Sequence, residues 1–155
     1  MLVDKQIRKL LNSRSRRKTA IYGGMSTSVT SVGYDLRTAA IYQDGERVMG
    51  CALQLQRGES VLIASGEVVH FGARDVGHVY LRNSLIRAGL TIDAPLYQPG
   101  HKTRIYYRLT NLSGAPICLQ EGGKYAMLTI ERLGKKPCRG YAGKYQNEVK
   151  FTSTK

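Results

Sequence analysis

The chain has 155 residues, a length that suits one compact domain with a sizeable core. Hydrophobic residues make up 42% of it, which excludes an intrinsically disordered protein, and no apolar run approaches the ~20 residues that span a bilayer. The net charge is +13, from 24 Lys and Arg against 11 Asp and Glu, so we expect an anionic partner. The candidates are nucleic acid, a nucleotide and an acidic protein surface, and no membrane partner is predicted.

The cysteines and histidines predict neither a disulfide framework nor a metal site. The three cysteines are odd in number and far apart: Cys51, Cys118 and Cys138. The three histidines have no metal-ligand spacing: His70, His78 and His101. The N-terminus lacks the apolar core of a signal peptide, so we expect a reducing, cytoplasmic setting, which is the host cytoplasm if the source is a virus.

The N-terminal segment predicts a helix over residues 2–12 and then a basic linker over residues 13–30. Four apolar residues approximate one stripe of this helix: Leu2, Ile7, Leu10 and Leu11. The linker contains the basic run Arg14–Lys18. This run is either a contact for phosphate or nucleic acid, or a solvated linker, which is the usual fate of such runs.

From Val32 onward, short β-like segments alternate with turn signals, a pattern typical of an all-β sandwich or barrel. The predicted strands are Val48–Leu55, Ser60–Ala64, Val68–Phe71, Val76–Leu81, Arg104–Thr110, Pro116–Leu119 and Lys124–Glu131. There is no internal repeat, so we expect a single β domain over residues 1–133. Residues 134–155 are basic, rich in glycine and without core periodicity, which predicts a flexible tail that is disordered or folds onto something else.

One stretch in the middle of the chain predicts a phosphate pocket that faces the tight turn of a hairpin. A short helix from Leu85 to Ala88 follows a strand, with Ser84 as its N-cap. The open amides of a helix N-terminus bind anions. The guanidinium groups of Arg82 and Arg87, on either side of this N-terminus, suit phosphate.

Asp35 is a second candidate for a functional site. It lies between two apolar residues in the strand-like segment Ser31–Arg37. It is either a strand-edge carboxylate that faces water, or a carboxylate that holds a sugar hydroxyl, a metal or a neighbouring residue of an active site.

Motifs along nearly the whole chain resemble the dUTPase and dCTP deaminase superfamily. They are GYDL at 33–36, RNSLIRAGL at 82–90, QPG at 98–100 and TNLSGAPICLQEGGKYAML at 110–128. Both ends resemble the dCTP deaminase branch, through LVDKQIRKLL at 2–11 and YAGKYQNE at 141–148. The resemblance implies an all-β, distorted β-barrel or jelly-roll-like fold with a short N-terminal helix and one short internal helix. It also implies a homotrimer with its sites at the subunit interfaces.

The resemblance assigns roles to individual positions. A pyrimidine deoxynucleotide is the implied ligand, with Mg²⁺ alongside a nucleoside triphosphate and no other cofactor. The phosphate positions are Arg82, Asn83, Ser84, Arg87, Lys144, Tyr145 and Gln146. The base and sugar positions are Asp35, Leu96, Tyr97 and Gln98. In the tail, Tyr141 or Tyr145 would stack on a base, or stand exposed.

Two departures from the family concern catalysis. Gln98 stands where the dUTPase motif GVIDPGYRG has the Asp that orients the attacking water, and an amide is no general base. Arg108 stands where the dCTP deaminase run ITLELTN has its proton-shuttling Glu. Three further departures are Asn83, Thr103 and Met127. The scaffold is retained while both catalytic carboxylates are replaced.

These observations favour three hypotheses. The first is a catalytically impaired homotrimer that binds a pyrimidine deoxynucleotide or a partner. The second is an active dCTP deaminase or dUTP diphosphatase whose base is relocated to Asp93, Glu121 or a neighbouring subunit. The third is a trimeric structural or nucleic-acid-binding protein that reuses the fold and contacts phosphates through its basic ends.

Overall fold

A computed structural model describes residues 1–48 and 52–150 of the chain. Within those ranges the strands are β1 (Ala20–Tyr22), β2 (Tyr34–Leu36), β3 (Thr38–Gln43), β4 (Glu46–Arg47), β5 (Leu53–Leu55), β6 (Ser60–His70), β7 (Asp75–Leu81), β8 (Leu90–Asp93), β9 (Lys102–Asn111), β10 (Ile117–Leu119) and β11 (Ala126–Arg132). The helices are α1 (Asp4–Arg8) and α2 (Asn83–Ala88), and a 3-10 turn covers Ser26–Ser28. No helix in these ranges is long and apolar enough to cross a bilayer.

The described strands form three antiparallel sheets. The largest runs in the order β4-β3-β6-β9-β8, and β1 also pairs with β6. The second has the order β2-β11-β7, and the third pairs β10 with β5. The sheets do not close into one continuous barrel, and the prediction of an all-β fold is confirmed.

Side chains from all three sheets form one core cluster. Strand alternation explains its composition, because successive side chains of a strand point to opposite faces. Along β9, every second residue is buried: Thr103, Ile105, Tyr107, Leu109 and Asn111. Helix α1 adds Ile7, which is 1% exposed, and the N-terminus is held by a 2.7 Å hydrogen bond from the Leu2 N–H to the Ile130 carbonyl.

The N-terminal helix is shorter than predicted. It ends at Arg8 rather than at residue 12, because the chain turns there to meet β1. Ile21 donates its N–H to the Leu10 carbonyl at 2.9 Å and accepts the Asn12 N–H at 2.9 Å. The segment predicted as a linker therefore contains a strand of the largest sheet.

Several strand predictions need correction. The predicted strands Ser60–Ala64 and Val68–Phe71 are one strand, β6, whose register with β9 shifts at a bulge. The strands β1, β3 and β4 are additional to those predicted. The predicted strand Val48–Leu55 includes residues 49–51, which lie outside the described residues, and its end corresponds to β5.

The described part of the tail, residues 134–150, folds back onto the turn between β8 and β9. Tyr141 donates its N–H to the Pro99 carbonyl at 2.8 Å. Thr103 of β9 and Glu148 form an isolated parallel bridge. These contacts place tail side chains over the turn, while the domain boundary at residue 133 and the flexibility of the tail stay predictions.

Candidate functional site

The turn segment (residues 94–101) and the tail enclose a groove of about 680 Å³, which we call the tail groove. The strands contribute Leu62, Thr103, Tyr106 and Arg108. The turn segment contributes Pro95, Leu96, Tyr97, Gln98 and His101. The tail contributes Tyr141, Lys144, Tyr145, Gln146 and Glu148. The groove therefore unites the predicted base-side positions of the turn with the predicted tail positions.

Stacked rings connect the core to the tail. The ring centroids of Phe71 and Tyr97 are 5.7 Å apart, and those of Tyr97 and His101 are 5.8 Å apart. The centroids of His101 and Tyr141 are 4.0 Å apart. Because these rings belong to the residue directly after β6, to the turn segment and to the tail, they hold the turn from both sides.

His101 is the residue at which the turn and the tail meet. Its Nε2 lies 2.9 Å from the carbonyl oxygen of Tyr145, and a carbonyl only accepts, so Nε2 carries the hydrogen and donates it. Burial lowers the pKa of His101 and outweighs the opposing effects of the Tyr145 carbonyl and the Glu148 carboxylate. The ring is therefore neutral at physiological pH and holds the tail with a single donor.

The side chain of Gln146 ties the tail to the turn. Its Oε1 accepts the Lys102 N–H at 2.9 Å, and its Nε2 donates to the carbonyls of Gly100 at 2.9 Å and Tyr141 at 3.1 Å. Every polar atom of this amide is thus engaged by the backbone. The phosphate contact assigned to Gln146 from the sequence stays a prediction.

Tyr97 positions the turn segment through its hydroxyl and its backbone. The hydroxyl accepts the Tyr106 N–H and donates to the Tyr106 carbonyl, both at 2.7 Å. Two hydrogen bonds, of 2.9 and 3.0 Å, join the backbone of Tyr97 to the backbone of Gly77. A Cβ at residue 77 would lie 2.5 Å from the Phe71 ring, so glycine is required there. Burial raises the pKa of the Tyr97 phenol, which therefore keeps the proton that it donates.

The two catalytic departures lie in the same groove. Gln98 and Arg108 are both exposed and both line it. Arg108 pairs in register with Leu62 of β6 and Asp93 of β8. Among the described residues that line the groove, Glu148 carries the one carboxylate, beside the cations Arg108 and Lys144. The groove can thus hold an anion, and Glu148 is its candidate proton acceptor.

Glu148 was missed as a site residue by the sequence reasoning. It reaches the groove only through its bridge with Thr103, a pairing between distant parts of the chain. Local sequence patterns do not report such pairings. The one available signal was the YAGKYQNE motif at 141–148, in which Glu148 is the last residue.

The remaining predicted positions form a second group, which we call the arginine corner: Asp35, Arg82, Asn83, Ser84 and Arg87. The Arg82 Nη2 lies 4.0 Å from the Asp35 Oδ2, a long ion pair near the protein surface. The Arg87 Nε donates to the Asn83 Oδ1 at 3.5 Å. Except for half-buried Asp35, these side chains are exposed, so the guanidinium groups are accessible to a ligand.

The N-cap of α2 differs from the prediction. Arg82 rather than Ser84 is the N-cap, with an extended backbone at φ −66° and ψ 140°. Its carbonyl accepts the N–H groups of Leu85 at 2.9 Å and Ile86 at 3.2 Å, and no side chain caps the helix. Ser84 therefore lies within the first turn. The predicted end of the helix is confirmed, because Gly89 adopts the left-handed φ of 98°.

The arginine corner and the tail groove are separate features of one chain. None of the arginine-corner residues lines the tail groove. Among residues 1–48 and 52–150, no group of three or more His, Cys, Asp and Glu side chains could hold a metal ion.

Solved structures define the class of fold. The chain superposes on the 2'-deoxycytidine 5'-triphosphate deaminase of Agrobacterium tumefaciens with a TM-score of 0.71 at 15% identity, covering 86% of this chain and 46% of that chain. It superposes on EIAV dUTPase with a TM-score of 0.56 at 19% identity, covering 74% of this chain and 87% of that chain. These likenesses establish a dUTPase-like, jelly-roll-like fold.

The chain belongs to the dCTP deaminase-like family, whose model matches residues 1–133. The dCTP deaminase of Desulfurococcus amylolyticus is 31% identical over 109 residues, which cover 70% of this chain and 60% of that protein. The dCTP deaminase of Pyrococcus horikoshii is 25% identical over 150 residues, 90% of this chain and 92% of that protein. A dUMP-forming dCTP deaminase of Methanopyrus kandleri is 30% identical over 104 residues, and the match covers only 54% of the length of that protein.

Proposed function

We propose that this protein is a homotrimer that binds a pyrimidine deoxynucleotide and does not deaminate or hydrolyse it at the rate of an enzyme. Membership of the dCTP deaminase-like family supports the ligand class. The observation that carries the loss of chemistry is the position of Gln98 and Arg108. Both open into the tail groove, at the positions where the family resemblance places catalytic carboxylates.

The chemistry of these two side chains supports binding without turnover. The Gln98 amide has no proton affinity near neutral pH, and the Arg108 guanidinium is always charged, so neither can act as a general base. General-base assistance is typically worth ~10²–10⁴-fold in rate. Arg108 and Lys144 instead add positive charge to the groove, which favours an anionic ligand.

The separation of the two groups supports the homotrimer. The family resemblance assigns four residues of the arginine corner and three of the tail to the phosphates, and it assigns Asp35 and the turn segment to the base and sugar. In one chain the arginine corner does not share a cavity with the turn segment and the tail. A neighbouring subunit that supplies its arginine corner to the tail groove would complete the site, as the resemblance implies. Sedimentation should then give the mass of three chains.

Glu148 supports a second candidate, an active deaminase or diphosphatase with a relocated base. It lines the tail groove, unlike the bases that the sequence reasoning named. Glu121 is paired with Arg47 at 3.0 Å, and Asp93 lies on β8 outside the groove. If the protein is active, Glu148→Gln should abolish turnover and leave nucleotide binding intact.

A thermal-shift panel with a turnover assay tests the proposal. The panel takes dCTP, dUTP, dTTP and the matching ribonucleotides, each with and without Mg²⁺. A ligand at ~100 times its dissociation constant adds ~2.7 kcal/mol of stability. We expect a pyrimidine deoxynucleotide to raise the Tm with no product formed.

Two outcomes would count against the proposal. Turnover at ~1–10³ s⁻¹, the usual range for enzymes, would overturn the loss of chemistry. The absence of a Tm shift with every nucleotide would contradict the proposed class of ligand.

Two matched variants, Arg82→Gln and Arg57→Gln, each remove one exposed arginine. Only Arg82→Gln should weaken nucleotide binding, because Arg57 lies in a turn outside both the arginine corner and the tail groove.

A further inference from the structure

A second groove, of about 550 Å³, lies between the N-terminal segment and the turn that precedes β7. We call it the basic groove. Lys9, Arg17 and Lys18 line it from one side, and Arg74 and Arg132 line it from the other. None of these residues belongs to the tail groove or the arginine corner. The sequence allowed two roles for the basic run, a phosphate contact or a solvated linker. The structure places the end of this run at the groove.

The basic run is anchored to the sheet. Thr19, directly after it, accepts the Gly72 N–H at 2.8 Å and donates its hydroxyl to the Asp75 Oδ2 at 2.6 Å. Both Thr19 and Asp75 are buried. A Cβ at residue 72 would lie 2.9 Å from the Thr19 nitrogen, so the two segments are in close backbone contact. The backbone at the end of the run is therefore held at a fixed place beside the groove.

The carboxylate in the basic groove is already neutralised. Asp75 accepts two hydrogen bonds from Arg132, at 2.8 and 3.0 Å, in addition to the one from Thr19. Burial alone would raise the pKa of Asp75, but the bonds from Arg132 and Thr19 hold it below the ordinary value. Asp75 therefore stays ionised and paired with Arg132, so its negative charge is offset and does not repel a bound anion.

The other cations have no carboxylate partner within the described part of the chain. Lys9, Arg17 and Lys18 are exposed and form no ion pair there. Arg74 donates to the carbonyls of Leu133 and Gly134 and to no carboxylate. Within the described part of the chain, the groove thus presents four cations that form no salt bridge with a carboxylate.

We propose that the basic groove binds the sugar-phosphate backbone of a nucleic acid, without reading its sequence. The four cations come from three separate segments of the chain: Lys9 from the N-terminal segment, Arg17 and Lys18 from the basic run, and Arg74 from the turn before β7. They line the groove from both sides, an arrangement that suits a chain of phosphates lying along it. Of the described residues that line the groove, none is aromatic, so it offers no ring on which a base could stack. This inference is independent of the proposed function.

Salt-dependent binding to short oligonucleotides tests this proposal. The full-length protein is titrated with a fluorescent 20-nucleotide single strand of mixed sequence, a second strand of different sequence, and a duplex, at several salt concentrations. We expect equal affinity for the two sequences and a linear fall of log K with log salt. Arg17→Gln with Lys18→Gln should weaken binding and reduce the salt slope by about 2, because each lost phosphate contact removes about 1.

A charge-matched control separates the groove from overall charge. Arg8→Gln with Arg57→Gln also removes two cations, but Arg8 bonds to the Ser26 carbonyl away from the groove. The control should retain the wild-type slope, and both double variants should keep the wild-type Tm. An equal loss in the two variants, or no binding by the wild type at low salt, would overturn the proposal. Tripolyphosphate that binds as tightly as the oligonucleotide would also overturn it, since the site would then be one for small polyphosphates.

Discussion

The imidazole of His101 and the backbone carbonyl of Tyr145 are joined by a 2.9 Å hydrogen bond between the turn segment and the tail. The bond is shielded, since His101 is only 7% exposed and its ring lies between those of Tyr97 and Tyr141. One neutral ring therefore links the core, the turn that carries Gln98, and the tail that carries Glu148. The shape of the tail groove depends on this contact.

The first prediction concerns the pH dependence of this contact. Burial lowers the pKa of His101 below its ordinary value of 6.5, so the unfolded chain binds more protons between the two pKa values. The stability contributed by the neutral ring should be complete above about pH 6.5 and should fall as the pH drops toward the folded pKa. His70, whose pKa burial also lowers, acts in the same direction.

An NMR titration of the imidazole protons separates the two rings, with His101→Gln as the assignment and stability control. The resonance of His101 should titrate below pH 6.5 and should be accompanied by shifts in the tail. A titration midpoint at or above 6.5 would contradict the buried, neutral ring. In His101→Gln the acid loss of stability should shrink by the part that His101 contributes, while the parts from His70 and Asp75 remain.

The second prediction concerns Gly77. In Gly77→Ala the new Cβ would meet the rigid Phe71 ring at 2.5 Å and disturb the backbone pairing with Tyr97. We expect a loss of about 1–3 kcal/mol in the free energy of unfolding, the usual cost of overpacking. Gly114→Ala is the matched control, because nothing lies within 4 Å of a Cβ there. Chemical denaturation of the two variants measures the difference, and equal stabilities would refute this packing argument.

A third prediction compares a buried ion pair with an exposed one. The side chain of Glu67 is 0% exposed. Its carboxylate accepts hydrogen bonds from the Tyr34 hydroxyl, the Arg37 backbone N–H and the Arg37 Nε. Arg37→Gln removes the charged donor and should destabilise the fold by about 1–3 kcal/mol, since Arg37 itself is partly exposed. In the exposed pair, Arg47→Gln should cost about 0–1 kcal/mol. A larger loss of stability in Arg47→Gln than in Arg37→Gln, measured by chemical denaturation, would contradict this prediction.

The fourth prediction concerns Arg108 as a ligand contact. Under the proposed function, Arg108→Gln removes a cation from the tail groove and should weaken nucleotide binding by about 10- to 100-fold, the equivalent of one charge-assisted hydrogen bond. Because Arg108 is exposed and lies outside the core, the Tm without ligand should not change. Calorimetric titration of the variant beside Arg57→Gln measures the effect. Wild-type affinity in Arg108→Gln would exclude a contact between this side chain and the ligand.

Local patterns in the sequence predicted the all-β fold well. The alternation of apolar and polar residues in β9 reports directly which side chains enter the core, and Gly89 marks the end of α2. What the sequence could not supply was pairing between distant segments. The bridge of Thr103 with Glu148 and the strand β1 both depend on partners far along the chain.

The resemblance predicted sites shared between subunits, and the single chain holds the predicted residues as two groups. The family motifs identified the turn segment, the arginine corner and the tail, but motif order along a chain does not report distances in space. The prediction of Ser84 as the N-cap of α2 was wrong. The residue type of Ser84 favours an N-cap, yet the extended backbone of Arg82 starts the helix earlier.

Under the proposed function, the protein retains the family scaffold and binds a nucleotide that it does not transform. The most direct test mixes excess protein with labelled dCTP or dUTP, separates the bound label, and identifies it by chromatography after the protein is denatured. We expect the bound label to be recovered as unchanged dCTP or dUTP. Recovery as dUTP from dCTP, or as a nucleoside monophosphate from either, would contradict it.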